Sequence, residues 1–258
     1  MLPQFSEKHN QPSLITPEKV MEHRRQYGRY PTTPPPKTVI FCYQSRFFTQ
    51  ILEEMAHRRC DGCFSKFYYL TDHPSVAIGD IGIGAPQAAT KMEELISWGV
   101  KQFISIGTAG SLQKKVGVGD VVLCDQAIRD EGTSFHYIPP SKYIHAPRRM
   151  TNKLQQLLKA SQVPYHIGCS WTTDSFYRQT LEEIDHYQKE GVLSVEMEAS
   201  ALFAVAHYHK VDLGAMFTIT DTHADLDWKP HFEDTRPRNN LRQILNIAIQ
   251  AASEDEPT

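Results

Sequence analysis

The chain has 258 residues, 40% of them apolar and 10% aromatic, which allows a sizeable buried core and excludes a wholly disordered polypeptide. Its 27 lysines and arginines against 30 aspartates and glutamates give a formal charge of −3, so there is no electrostatic case for nucleic acid or an anionic membrane surface as partner. No apolar run approaches the roughly 18 residues of a membrane span, the N-terminus lacks a signal-peptide stretch, and the five cysteines (Cys42, Cys60, Cys63, Cys124 and Cys169) are odd in number and scattered, so a cytoplasmic globular protein with free thiols is expected.

Residues 1–36 are polar and end in Pro31-Thr32-Thr33-Pro34-Pro35-Pro36, where consecutive prolines forbid helix. They read as an N-terminal extension to a single domain over residues 37–252. Within the extension, Thr16 as cap and Pro17 in the first turn predict a helix to Tyr27. Thr38–Cys42 then reads as a buried strand and Phe47–Ala56 as a helix. Strands follow at Ser75–Gly79, at Phe103–Ile106, the latter ending in Gly-Thr-Ala-Gly, and at Asp120–Cys124. Helical spacing marks Ala88–Trp98, Thr151–Ser161, Ala199–Tyr208 and Leu241–Ala252. Ser194-Val195 ends a short extended run, Ala215–Thr220 is the last strand, and the acidic end from Ser253 to Thr258 is expected to fray. Strands alternating with helices mean an α/β protein with a central sheet covered on both faces, whose ligands sit beyond the strand ends.

The strand ends are where chemistry is sought. Gly82-Ile83-Gly84-Ala85-Pro86 lies between a strand and a helix, and serves a tight turn as readily as an anion. Thr108, in Ile106-Gly107-Thr108-Ala109-Gly110, adds a hydroxyl for a phosphate, a sugar oxygen or a nearby carbonyl. In Val195-Glu196-Met197-Glu198-Ala199 two carboxylates stand at the entrance of the most apolar helix. They either favour its N-terminal dipole or hold a ligand such as a ribose diol. Asp221 closes the last apolar run, as a proton donor or as a cap for the next turn. Trp171–Tyr177 offers rings with polar side chains between them. Cys60 and Cys63 have no second cysteine pair, so no metal site is expected.

Taken together these motifs resemble the nucleoside phosphorylase superfamily, which holds uridine phosphorylase, hexameric purine nucleoside phosphorylase and the methylthioadenosine nucleosidases. The residues that carry the resemblance are Gly82–Pro86, Ile106–Gly110, Val118–Val122, Arg129–Thr133, Thr172–Tyr177, Val195–Ala199 and Thr220-Asp221, in family order. The resemblance implies a three-layer αβα fold of the phosphorylase/hydrolase-like kind, with a central mixed sheet. It implies that Glu198 binds the ribose hydroxyls, with Met197 against the sugar and Glu196 behind, that Thr108 touches sugar and phosphate, and that Phe176 stacks on the base. Ala109, Gly110 and Val195 would line the base pocket, Arg178 and Gln179 would hold a uracil, and Asp221 would protonate a departing purine. Arg46, Gly84, Thr108 and Ser105 are the phosphate candidates. Ser105 stands where phosphorolytic members carry an arginine, so phosphate binding is expected to be weak and Ser105→Arg to strengthen it.

The implied activity is phosphorolysis of a ribonucleoside, of uridine or purine type, to free base and ribose 1-phosphate. The alternatives are hydrolysis of the same bond and a nucleoside-binding protein without turnover. No cofactor is implied beyond inorganic phosphate as co-substrate. The partners implied are the small-molecule nucleoside and phosphate and further copies of the chain, as a dimer or a trimer of dimers.

Overall fold

In the computed structural model, which describes Phe5 and residues 8–254, the alternation of strand and helix is realised as one mixed sheet between two helical layers. The acidic tail from residue 255 onward and residues 1–4, 6 and 7 of the extension lie outside the described residues.

The extension contributes α1 (Pro17–Gln26), whose Thr16 hydroxyl accepts the Lys19 N–H at 3.3 Å, with Pro17 preset for the first turn. This helix packs on α3 (Ala85–Trp98), where Arg24 meets the buried Glu94 at 2.8 Å. Next comes β1 (Thr38–Cys42), buried along its whole length. Its side chains alternate between faces, Val39 and Phe41 entering one core, Ile40 and Cys42 the other. Then follow α2 (Ser45–Glu54), β2 (His57–Arg59), β3 (Phe67–Leu70) and β4 (His73–Asp80). After α3 come β5 (Gln102–Ser111), β6 (Val121–Asp130), β7 (Tyr143–His145), α4 (Arg148–Ala160) and β8 (Tyr165–Thr173). The last elements are α5 (Leu181–Lys189), β9 (Ser194–Glu196), α6 (Ala199–His209), β10 (Asp212–Thr222), β11 (Lys229–Pro230) and α7 (Thr235–Ser253).

Helices α1, α3 and α6 share the core containing Phe41, Met92 and Phe203, while α2, α4 and α7 share the core containing Ile40, Leu154 and Ile244. The two sides differ in kind. From Ala199 to Ala206 every residue of α6 is buried, and all of them but Ser200 are apolar, whereas α7 buries one stripe. No helix among the described residues is long and apolar enough to cross a membrane.

Strands β4, β1, β5 and β10 run parallel. Beyond them the sheet curls back. β10 pairs with both β5 and β6, β6 with β8, β8 with β9, and β9 with β5, so five strands close a ring. This closure explains why β5 does not stop at Ile106 but continues through Gly107–Ser111, because both of its flanks remain paired. Gly110 faces Val195 on one side and Asp221 on the other, which brings the two acidic motifs to one strand end.

Candidate active site

A cleft of about 760 Å³, with its solvent-open space included, lies at this strand end. Its walls come from the segment after β1, from the end of β5, from the β9–α6 junction and from the end of β10, as the ligand edge of a parallel sheet requires. Of the residues singled out in the sequence, Thr108, Ala109, Gly110, Phe176, Gln179, Val195, Glu196, Met197, Glu198 and Asp221 line it together.

The two neighbouring carboxylates have different surroundings. Glu196 accepts the Thr172 hydroxyl at 2.6 Å and the backbone N–H groups of Glu198 and Ala199 at 2.7 Å each. It therefore caps the buried N-terminus of α6 and sets the backbone that carries Glu198. Behind it, the Ser200 N–H donates to the Thr172 hydroxyl at 3.0 Å, and the Ser200 hydroxyl donates to Glu131 at 2.8 Å. Burial raises the Glu196 carboxyl above its usual range, partly offset by these donors. Glu198 accepts the Gly84 N–H at 2.5 Å. It is pushed up to about 8, first by burial and then by the neighbouring charge of Glu196. A carboxyl so perturbed holds its proton at neutral pH while the cleft is empty, and hydroxyl groups of a ligand that donate to it would favour the ionised form.

Asp221 lies across β5 from this pair. The indole N–H of Trp228 donates to its Oδ2 at 3.0 Å and the Thr220 hydroxyl to its Oδ1 at 2.9 Å, while His223 Nε2 stands 3.9 Å from Oδ2. The approach leaves no space at Gly110, where an added Cβ would come within 2.7 Å of His223 Cε1 and 2.9 Å of Asp221 Oδ2. Burial lowers the His223 pKa, favouring neutral imidazole. Its Nδ1, with Gln44 Oε1 and Gln179 Oε1, is buried without a hydrogen-bond partner among the described residues, and all three residues line the cleft. Buried polar atoms left open at a cleft wall are what a polar ligand would satisfy.

The phosphate candidates are divided. Thr108 lines the cleft and receives the Gln44 amide at 2.8 Å. Arg46 lies in an adjoining annex that shares Gln44, Thr108, Thr220 and Phe232 with the cleft. Gly84, with φ of 106°, caps α3, and its N–H is engaged by Glu198. Ser105 is 1% exposed, with its Oγ 2.7 Å from the Tyr43 hydroxyl, and does not line the cleft. Arg178 is exposed in the turn Phe176–Arg178 and is absent from the cleft wall that holds Gln179.

Tyr43, Gln44, Phe217 and Phe232 also line the cleft without having been singled out. Tyr43 and Gln44 follow β1 directly, so the rule that ligands meet strand ends could have found them. Phe217 and Phe232 carry no such signal. Conversely, Arg129–Thr133 is structural. The Arg129 guanidinium donates to Ser134 Oγ, Ser141 Oγ and the carbonyls of Ile138 and Pro139, pinning the loop beside α6.

Residues 50–250 match the family model described as the Phosphorylase superfamily. A guanosine phosphorylase from Halorubrum lacusprofundi is 34% identical over 189 residues, covering 70% of this chain and 77% of its own length. A DeoD-type purine nucleoside phosphorylase from Shewanella oneidensis is 28% identical over 179 residues, covering 69% and 75%. A uridine phosphorylase from Thermococcus kodakarensis is 30% identical over 157 residues, covering 56% and 57%. Among solved structures, the uridine phosphorylase of Vibrio fischeri has a TM-score of 0.70 over 85% of this chain and 90% of that one, at 24% identity, which is a likeness of fold.

Proposed function

Because this chain belongs to the phosphorylase superfamily, we propose that it is a pentosyltransferase that cleaves a ribonucleoside with inorganic phosphate, giving free base and ribose 1-phosphate. The observation that carries the reading is the placing of Glu198 and Asp221 on opposite flanks of one strand end, in one cleft. Glu198 holds the ribose 2′ and 3′ hydroxyls, with Met197 against the sugar and Phe176 over the base. As the C1′–N bond breaks, the base leaves with the bonding pair and takes a proton from Asp221. A phosphate oxygen, entering beside Thr108 and Arg46, forms the new C1′–O bond. The sugar passes through an oxocarbenium-like state, so a carboxylate beside it and a proton at the base both act on the transition state. The chemistry requires neither metal nor cofactor.

A purine is the base that fits best. Asp221 is held at the base flank by Trp228 and Thr220, and the relative at 34% identity is named a guanosine phosphorylase. Gln179 alone would suit a uracil, but its expected companion Arg178 stands outside the cleft. The relatives' names favour phosphorolysis over hydrolysis or binding without turnover. The proposal includes a homo-oligomer, a dimer or a trimer of dimers, acting in the cytoplasm. Ile83, Phe176 and Phe232, which are 65%, 45% and 60% exposed at the cleft wall, offer a second copy an apolar surface to cover.

The test is release of free base from inosine or guanosine as inorganic phosphate is raised from zero. Phosphate-dependent release with ribose 1-phosphate as product is expected. Release independent of phosphate, with free ribose, would make the protein a hydrolase.

A further inference from the structure

The departure at Ser105 leaves the acceptor short of one cation, and the structure closes that position. The Tyr43 and Ser105 hydroxyls meet at 2.7 Å, and an added Cβ at the next glycine, Gly107, would come within 3.1 Å of the Tyr43 ring. β5 itself carries no basic residue, so no cation enters the cleft from it. The annex, about 1040 Å³ with its solvent-open space included, adjoins the cleft, and the two share Gln44, Thr108, Thr220 and Phe232 in their walls.

Two arginines line this annex, Arg46 from α2 and Arg238 from the first turns of α7. Neither has an ion-pair or hydrogen-bond partner for its side chain among the described residues. Their neighbours on α7 differ. Arg236 is fastened to Asp234 at 2.6 Å, and Arg242 to Glu54 at 2.6 Å. The acids of the annex do not cancel the two free cations. Asp234 is held well below the usual carboxylate range, at about 2, by Arg236, so that pair is neutral. Glu233 leaves a balance of +2 − 1 = +1. An excess of positive charge beside a substrate cleft favours an anionic ligand.

We propose that Arg238 takes the place of the arginine missing at Ser105, forming with Arg46 and Thr108 the seat of the phosphate acceptor. The cation is delivered from α7, across the annex, instead of from within β5. This rests on the reading that phosphate is the acceptor. A guanidinium fits a phosphate through two parallel N–H donors, which a lysine does not reproduce.

The experiment measures KM for inorganic phosphate, at saturating nucleoside, in the wild-type protein and in Arg238→Ala, Arg238→Lys and Arg242→Ala. In Arg238→Ala it should rise about tenfold, with the nucleoside KM within about twofold of wild type, as for one lost charged hydrogen-bond partner. Arg238→Lys should recover part of the loss, and Arg242→Ala, which alters a paired arginine outside the annex, should leave phosphate KM unchanged. A melting titration with inorganic phosphate alone gives a readout without turnover, in which the phosphate-induced rise in Tm should be smaller in Arg238→Ala than in wild type. Equal phosphate KM and equal Tm rise in Arg238→Ala and Arg242→Ala would overturn the role of Arg238 while leaving phosphorolysis intact. Base release independent of phosphate in the wild type would remove the acceptor itself, and with it both readings.

Discussion

The two sides of the cleft treat charge in opposite ways. At the β9–α6 junction, Glu196 and Glu198 are 5% and 8% exposed, and Glu196 is surrounded by donors from Thr172, Glu198 and Ala199. In the annex, Arg46 and Arg238 are exposed and unpaired among the described residues. An exposed guanidinium remains solvated while it waits for a ligand, whereas a buried carboxylate is costly unless its surroundings are built for it. The inner side is thus preorganised and the outer side is open to exchange. That suits a site holding a sugar in fixed geometry while a small anion comes and goes.

The comparison breaks most directly at Glu198. Glu198→Gln should lower kcat/KM for a ribonucleoside by about 10²–10³, the scale of one lost transition-state contact. It should at the same time stabilise the fold at high pH. With a folded pKa near 8 against about 4.5 unfolded, the folded state binds the proton more tightly, so wild-type stability falls as pH rises through that window. At pH 8.5 the variant should be the more stable by about 2–4 kcal/mol, and at pH 4 the two should be nearly equal. Melting curves at both pH values, set beside the kinetics, check this. A variant less stable at pH 8.5, or one with near wild-type activity, would contradict the assignment.

Next in size is Asp221→Asn. It should slow purine ribosides by about 10²-fold yet spare a nitrophenyl riboside, whose leaving group departs without a proton. Equal losses for both substrates would reduce Asp221 to a structural partner of Trp228 and Thr220.

The smallest effect concerns Ser105→Arg. The sequence suggests that the substitution restores an acceptor cation. The Tyr43–Ser105 contact, 1% exposed, leaves no space for the longer side chain, so a loss of about 1–3 kcal/mol in stability is expected instead, with no tighter phosphate binding. Denaturant unfolding together with phosphate KM measures both.

These contrasts also mark what was legible in the chain. The helix at Pro17 and the strand Thr38–Cys42 were readable because a cap, a proline and an apolar run are local signals. β8 was missed because Tyr165–Thr173, which enters the ring of strands, mixes exposed, partly buried and fully buried positions without clean alternation. The capping box of α5, Thr180 with Glu183, was legible but overlooked. Val195–Ala199 showed that two acids stood together, but not that Glu196 faces the backbone of α6 while Glu198 meets Gly84. The contact of Tyr43 with Ser105, and the sharing of one annex by Arg238 and Thr108, bring together residues far apart in the chain and leave no local pattern.

The most direct measurement is a crystal structure of the protein with a purine ribonucleoside and sulfate standing in for phosphate. The account predicts the ribose hydroxyls on Glu198, the base edge at Asp221 under Phe176, and the sulfate between Thr108, Arg46 and Arg238. A nucleoside reversed in the cleft, with its base at Glu198, or a sulfate bound away from the annex, would contradict it.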